Sequence, residues 1–573
     1  DWLNMKKIYF LLVLISVTLL VGCGGGGGSD SPVYPTPDLP TEYESAPVFN
    51  KAANEIYNHK SNAGNVAIDL PIGSTYLVSI TNTSGNYQNI EIVASLAANI
   101  RASITDEHQQ SAAVNFADSF RYQERAEAEM QFRMNFINKL KEMNDNRVLC
   151  SARAGISGVD HSYEQVGESY TIYVTNGAGN PVPLNNVKLV AVTAHAKFFV
   201  DQNSRMGYSP QVDLMERIVT EGSFALTKVF DSDSVNIYKT VQENFGDFYD
   251  VDNDGKISVI ITPHLSSIGS NILGLFMNYS MLESFVEPRD LILIAPPLST
   301  ALAKGENYVR HETITNLCHE YQHLVNFSQR YYRNGQYSFS DDDRLKYQQE
   351  LGFDEGCSVC AEALFRRARG ERFGSLFDHK TGGLASREYT GNDPRFSDCF
   401  DSGDGNFDNV FPFYKAGMGT FPYKNYGRNG LFFLYLHDRF SDSFKKLIEL
   451  PFTGNNLKEV IPQSLGVPNL TLDDLQRDWH FALQHEYLLT ELKKEGEAMT
   501  TDARFKYNDW LRLPSQNKTL EKKYLNISLS KGYTTLLKIK PDIPSSINNT
   551  FRFFIKPTGS SPSKNLEINI IKL

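Results

Sequence analysis

Two histidines four residues apart, with a glutamate directly after the first, carry the strongest chemical signal in this chain: His319-Glu320-Tyr321-Gln322-His323. On a helix, residues four apart share a face, so His319 and His323 can offer two imidazoles to one cation. Glu320 sits three before His323, at the edge of that face, within reach of a water in the cation's open position. With 12 histidines in 573 residues, an accidental His-Glu-x-x-His is expected in only about one or two per cent of such chains. The helix this chemistry requires is legible as well. Ile314, Leu317, Tyr321, Leu324 and Val325 recur at helical spacing, and no Gly or Pro interrupts from Tyr308 to Tyr332.

A catalytic zinc keeps three protein ligands and one open position. The candidate third ligand is Glu355, in Leu351-Gly352-Phe353-Asp354-Glu355-Gly356-Cys357-Ser358-Val359-Cys360-Ala361-Glu362. Apolar spacing through Val359, Ala363 and Leu364 makes this a helix too; the alternative for Glu355 is an exposed helix acid. Glu362 lies about two turns past Glu355 on the same face, where it can orient a ligating histidine from behind. Asp354 is rotated about one hundred degrees from Glu355, so the two are not expected to ligate together, and Asp354 is expected to face elsewhere. A polar insert from Arg333 to Asp343 separates the two helices.

His-Glu-x-x-His followed by apolar Leu324, then Asp354-Glu355-Gly356 and Ala361-Glu362, resembles the gluzincin peptidases. In detail it is most similar to the hyicolysin-type neutral metalloproteases. The resemblance covers roughly 187–490, with its specific motifs at 316–328 and 351–364. It implies a thermolysin-like α+β zincin domain and zinc-dependent cleavage of peptide bonds. His319, His323 and Glu355 would be the ligands and Glu320 the catalytic acid/base. Cys357 stands where an apolar or small residue is usual, and Asp354 replaces the usual Asn. Zinc would acidify its water and polarise the scissile carbonyl. Glu320 would accept the water's proton and pass it to the leaving amine. Such a site also needs a donor for the developing oxyanion. Tyr423, Tyr426, His480 and His485 are candidates, and Tyr426 is favoured because Tyr426-Gly427 opens a helix.

A second constellation is Asp250-Val251-Asp252-Asn253-Asp254-Gly255-Lys256-Ile257-Ser258. Asp at positions 1, 3 and 5, Gly at 6 and an oxygen at 9 follow calcium-loop spacing. Position 12 is Ile261 rather than a bidentate Glu, and a strand follows instead of a second helix, so this is not an EF-hand. It is either a calcium turn completed by ligands from elsewhere or an Asp-rich turn.

The elements around these residues alternate. Strands are expected at Tyr170 to Val174, Val187 to Val192, Ala196 to Val200, Ile257 to Ile261 and Leu291 to Ile294, with one long helix from about Gln211 to Phe230. That order suits the α+β upper half of a zincin. Helices at Tyr426 to Phe440 and Asp473 to Leu489 would form the lower half, and the peptidase domain is bounded at 166–510. Short alternating strands mark an N-terminal β module at 46–110 and a C-terminal one at 511–573, both sandwich-like. Residues 111–165 turn helix-friendly and read as a helical linker or a pro-like inhibitory segment.

The start of the chain is an address. Residues 1–22 comprise a few upstream residues, Met5-Lys6-Lys7 and an apolar run from Ile8 to Val21. That run is shorter than the roughly twenty residues a bilayer span takes. It ends in Gly22-Cys23 and reads as a bacterial lipoprotein signal with Cys23 as the acylated residue. Acyl chains on Cys23 would suffice for stable anchoring. Residues 23–45, rich in Gly and Pro, form a tether. At 41% hydrophobic and 21% charged the rest is of ordinary globular composition. A net charge of −11 with no basic cluster argues against nucleic acid as a partner. Beyond Cys23 there are five cysteines, an odd number, so this is not a disulfide scaffold. Cys357-x-x-Cys360 reads as a buried helix face.

The expected protein is therefore a monomeric zinc endopeptidase acting on protein or peptide, lipid-anchored in a bacterial cell envelope at the outer membrane or cell surface. The rival is a surface-binding lipoprotein with a zincin fold whose β modules grip glycan or host protein.

Overall fold

Uninterrupted aliphatic runs build the sheet that carries the site. Ile257–Ile261 and Leu291–Ile294 are buried at every position, as strands covered on both faces must be. In this computed structural model the described residues are most of 161–333 (all but 270–271, 283–284 and 304), 344–370, 424–449 and most of 457–483. They also include helical positions within 128–139 and the strands near each end of the chain.

The strands run β1 (Glu44–Ser45), β2 (Ile56–Ser61), β3 (Val66–Pro71), β4 (Tyr76–Asn82), β5 (Gln88–Ala94), β6 (Arg101–Thr105), β7 (Ser169–Thr175), β8 (Pro181–Val192), β9 (Ala196–Asp201), β10 (Ile257–Ile261), β11 (Gly274–Phe276) and β12 (Leu291–Ile294). After the two-residue pair β13 (Phe377–Asp378) and β14 (Gly383–Leu384) come β15 (Tyr524–Leu529), β16 (Thr534–Asp542), β17 (Thr550–Thr558) and β18 (Leu566–Lys572). The helices used below are α1 (Arg205–Thr220), α2 (Ile237–Phe245), α3 (Glu306–Phe327), α4 (Arg344–Ala368) and α5 (Lys424–Arg439).

The central sheet has the order β11-β12-β10-β9-β8-β7. β9, β10 and β12 are parallel, while β11 runs antiparallel along the β12 edge. Helix α3 lies against β11 and β12, and α4 packs on both α3 and α5. Two glycines let α4 and α5 approach closely. A Cβ at Gly356 would run into the Phe433 ring, and one at Gly430 into the Val359 side chain. One apolar core joins these layers, from Phe198 and Val259 in the sheet through Leu317 and Tyr321 to Phe433 and Trp479.

Two expectations change. The long helix of 211–230 is two pieces: α1 ends at Thr220, and a single wider turn follows at Lys228–Ser232. Gly222 takes a φ of +84° between them, the left-handed conformation that ends helices. The β modules at 46–110 and 511–573 are not separate. Their strands alternate in two five-stranded sheets, β1-β3-β17-β5-β15 and β2-β18-β4-β16-β6. In one, Val78 and Ile80 of β4 sit opposite Ile570 and Ile568 of β18, all four buried. In the other, Ile68 of β3 sits opposite Phe553 of β17. Residue alternation shows which face a strand buries but not which strand pairs with it.

The segment read as a linker, 111–165, contributes to the central core. Phe132 and Phe136 meet Tyr279 edge-on at 5.4 and 4.9 Å, and Phe136 also meets Phe327 at 5.6 Å. Cys318, Cys357 and Cys360 are buried thiols outside any disulfide. Cys23, Cys150, Cys399, Tyr423, His480 and His485 lie outside the described residues.

Candidate metal centre

Helix α3 is buried on nearly every side from Leu317 to Phe327, polar residues included. That is unusual for a helix of such composition, and three of the buried polar groups are His319, Glu320 and His323. α4 lies across it and delivers Glu355, which is fully buried. His319 Nε2 and His323 Nε2 then face one carboxylate oxygen, Glu355 Oε2, at 3.2 and 3.5 Å. Two donors each about 2.0–2.1 Å from a tetrahedral zinc lie about 3.3–3.4 Å apart, so these separations fit a zinc among the three. The three residues form a compact ligand set. Two imidazoles and a carboxylate are also the donor chemistry zinc takes.

Each histidine is held by its other nitrogen. His319 Nδ1 meets Glu362 Oε1 at 2.8 Å. His323 Nδ1 meets Asp354 Oδ2 and Ser358 Oγ, both at 3.0 Å. A carboxylate behind each ring fixes the tautomer that turns Nε2 toward the metal position. Asp354 thus corrects the expectation that it faces elsewhere. It does not join Glu355 in facing the two Nε2 atoms but holds the second histidine. The signal was present in its spacing, because Asp354 and Ser358 are four apart and share a face.

The field at the centre favours positive charge. Burial lowers the His319 imidazole, but hydrogen bonds and charges from Glu355 and Glu362 outweigh it and push it up to about 10. His323 is also raised: burial and Arg133 oppose this, and Asp354 and Glu355 prevail. Burial raises Glu355, yet Arg133 and the two histidines hold it well below the usual carboxylate range. The acids around the two rings thus favour positive charge where the two Nε2 atoms and Glu355 converge.

Glu320 is 1% exposed and turns to the sheet edge, where its Oε2 accepts the Phe276 N–H of β11 at 2.8 Å. Gly274 makes room for it. A Cβ there would lie 2.8 Å from Glu320 Cγ and 2.9 Å from Oε1. Arg133 reaches the same centre from the helical positions before the central sheet. Its guanidinium pairs with Asp354, and its Nη2 lies 3.1 Å from Glu355 Oε1, the oxygen turned away from the histidines. Nothing in the spacing of the sequence pointed to Arg133, Phe276 or Gly274, which come from distant parts of the chain.

Tyr426 sits in the first turn of α5, and its side chain lies outside the described residues. Asp250, Asp252 and Asp254 form a second group, with one ligand atom from each lying within 4.8 Å of the others. Burial first, then the charge of Asp254, pushes Asp252 up to about 8.

A scan against protein-family models found no match, and a search of curated proteins found none either.

Proposed function

We propose that this chain is a zinc endopeptidase of the gluzincin type, with a thermolysin-like α+β domain, that hydrolyses peptide bonds. The observation that carries the reading is the convergence of His319 Nε2, His323 Nε2 and Glu355 Oε2 at zinc-ligand spacing, with Glu320 one residue along the same helix. Zinc held there would polarise the scissile carbonyl and acidify the attacking water. Glu320 accepts the water's proton on one carboxylate oxygen while the Phe276 N–H fixes the other. It then delivers that proton to the leaving amine. Glu362, Asp354 and Ser358 hold the Nδ1 side of the two rings and so keep each Nε2 aimed inward. β11 is the edge of the sheet beside Glu320, so an extended substrate can add to it as a further strand.

The same reading makes Cys23 the lipid anchor of a cell-envelope protein. Among the described residues no helix is long and apolar enough to cross a membrane.

Glu320→Gln tests the mechanism because it keeps size and hydrogen bonding but removes the base. Zinc content should stay near one per chain while casein hydrolysis falls at least about a hundredfold. Substantial cleavage by zinc-loaded Glu320→Gln would reject the mechanism. Zinc uptake without proteolysis in the unaltered chain would favour the binding-lipoprotein alternative.

A further inference from the structure

Three parallel strands begin side by side at one end of the central sheet. Ile257 of β10 sits opposite Ala196 of β9, and Ser258 opposite Leu291 of β12. The loop from Asp250 to Lys256 folds over these starts, and Asp290 directly precedes β12. Asn253 and Gly255 take φ values of +56° and +72°, which curl the loop and turn three acids toward one point.

Acidic clusters are common without any ion, so clustering alone decides nothing. Asp252 is different. It is 1% exposed, and neither of its oxygens accepts a hydrogen bond. A buried carboxylate in that state is costly and calls for a partner. The nearest base, His161 Nε2, is 3.8 Å from Asp252 Oδ2 and itself lacks a hydrogen bond. Asp250 Oδ1 is a second buried oxygen without a donor.

The carboxylates around Asp252 are already fixed. Asp250 Oδ2 accepts the Gly255 N–H at 2.9 Å, Asp254 Oδ1 the Lys256 N–H at 2.8 Å, and Asp290 Oδ2 the Val251 N–H at 3.1 Å. The local cations are engaged by acids other than Asp252. Lys197 pairs with Glu164 at 2.9 Å and Asp254 Oδ2 at 2.6 Å, and Arg289 with Glu164 at 2.8 Å and Glu287 at 3.4 Å. Among the described residues, six acids (Glu164, Asp250, Asp252, Asp254, Glu287 and Asp290) thus face two cationic side chains and the His161 imidazole, and Asp252 hydrogen-bonds to none of them.

We propose that Asp250, Asp252 and Asp254 bind a calcium ion, with Asp252 as the buried ligand whose oxygens accept no hydrogen bond. The donors are all oxygen, which selects a hard cation. They come from an irregular loop whose outer acid, Asp250, is only half-buried. That leaves room for water and the loose, high coordination calcium accepts, whereas magnesium demands a near-ideal octahedron. Because β10 carries Ile261 where an EF-hand supplies its bidentate Glu, affinity is moderate. The ion's effect is structural: it ties the loop to the shared start of β9, β10 and β12, away from any reacting atom. The proposal does not depend on the zinc reading.

The test uses the full chain, stripped of metal, reloaded with one equivalent of zinc, and titrated with calcium chloride by calorimetry and thermal melting. One calcium should bind per chain, and the melting temperature should climb with calcium concentration. Asp252→Asn should abolish both responses with zinc content unchanged, and Asp250→Asn should weaken calcium binding at least about tenfold. A His319→Ala/His323→Ala chain, lacking the zinc ligands, should keep the calcium response, so the two sites stand or fall separately. No binding at millimolar calcium, or intact binding in Asp252→Asn, would overturn the proposal. Magnesium binding as tight as calcium would overturn the choice of ion. Should Asp252→Asn fail to fold, unchanged calcium affinity in Asp250→Asn would overturn the proposal in its place.

Discussion

Asp354→Asn removes a charge that touches no metal position, yet it should weaken zinc binding. The aspartate stands behind His323, with Oδ2 3.0 Å from Nδ1. Losing the carboxylate behind a ligating histidine costs about 10- to 100-fold in metal affinity, or roughly 1.4–2.7 kcal/mol. Two features of the structure locate the variant within that range. Ser358 Oγ also lies 3.0 Å from Nδ1 and still accepts its proton, so the ring keeps its tautomer and the loss should be near tenfold. Arg133, which now divides its guanidinium between Asp354 and Glu355, would settle wholly on Glu355 and compete with the cation. That pushes the loss upward. Asp354→Asn with Ser358→Ala should therefore reach the hundredfold end. Glu362→Gln, behind His319 at 2.8 Å, should lie between them. Glu355→Ala, which removes a ligand, should exceed all three. Zinc competition against a chromophoric chelator at constant pH ranks the variants. Wild-type zinc affinity in Asp354→Asn/Ser358→Ala would refute the assignment of Asp354 as the group that orients His323. Full zinc retention in Glu355→Ala would remove the third ligand altogether.

Three further outcomes are expected. Gly274→Ala places a methyl against Glu320 Cγ and Oε1; hydrolysis should fall on the order of a hundredfold from misplacement of the base, and wild-type turnover with zinc bound would argue against β11 setting the position of Glu320. In the zinc-free protein the folded His319 pKa of about 10 exceeds the unfolded value near 6.5. The stability this proton contributes is fully present below about 6.5 and lost as pH rises through about 10, and over that window apparent zinc affinity should rise with pH because zinc must displace the proton. A pH-independent zinc affinity between neutral pH and 10 would contradict the arrangement. Cys23→Ser should move the chain from detergent-extractable membranes to the soluble fraction, and retention on membranes would require another anchor.

What the sequence discloses about this centre follows from how its residues are spaced. His319, Glu320 and His323 lie within one helical turn, and Glu355 and Glu362 within two turns of another. Local periodicity therefore predicts which of them share a face. The strands Ala196–Asp201, Ile257–Ile261 and Leu291–Ile294 are legible for a related reason: buried on both faces, they read as apolar runs whatever their partners. Arg133, Gly274 and Phe276 reach the same centre through tertiary packing alone. No period connects residue 133 to 355, or 276 to 320, and each is an ordinary residue in its own neighbourhood. The paired ends of the chain escaped for the same reason, since the partners of β4 are β16 and β18, more than four hundred residues on.

Asp354 marks the boundary between these two kinds of information. Its rotation from Glu355 is correct as helix geometry, and the structure keeps the two carboxylates apart. The inference that it faces elsewhere fails because a metal-binding imidazole has two nitrogens that point in opposite directions. A ligand face on α4 as proposed therefore needs two sets of acceptors: one for the proposed zinc, from Glu355, and others behind the rings, supplied by Asp354, Ser358 and Glu362. Counting ligands finds the first set. Asking what each ring does with its remaining N–H finds the second.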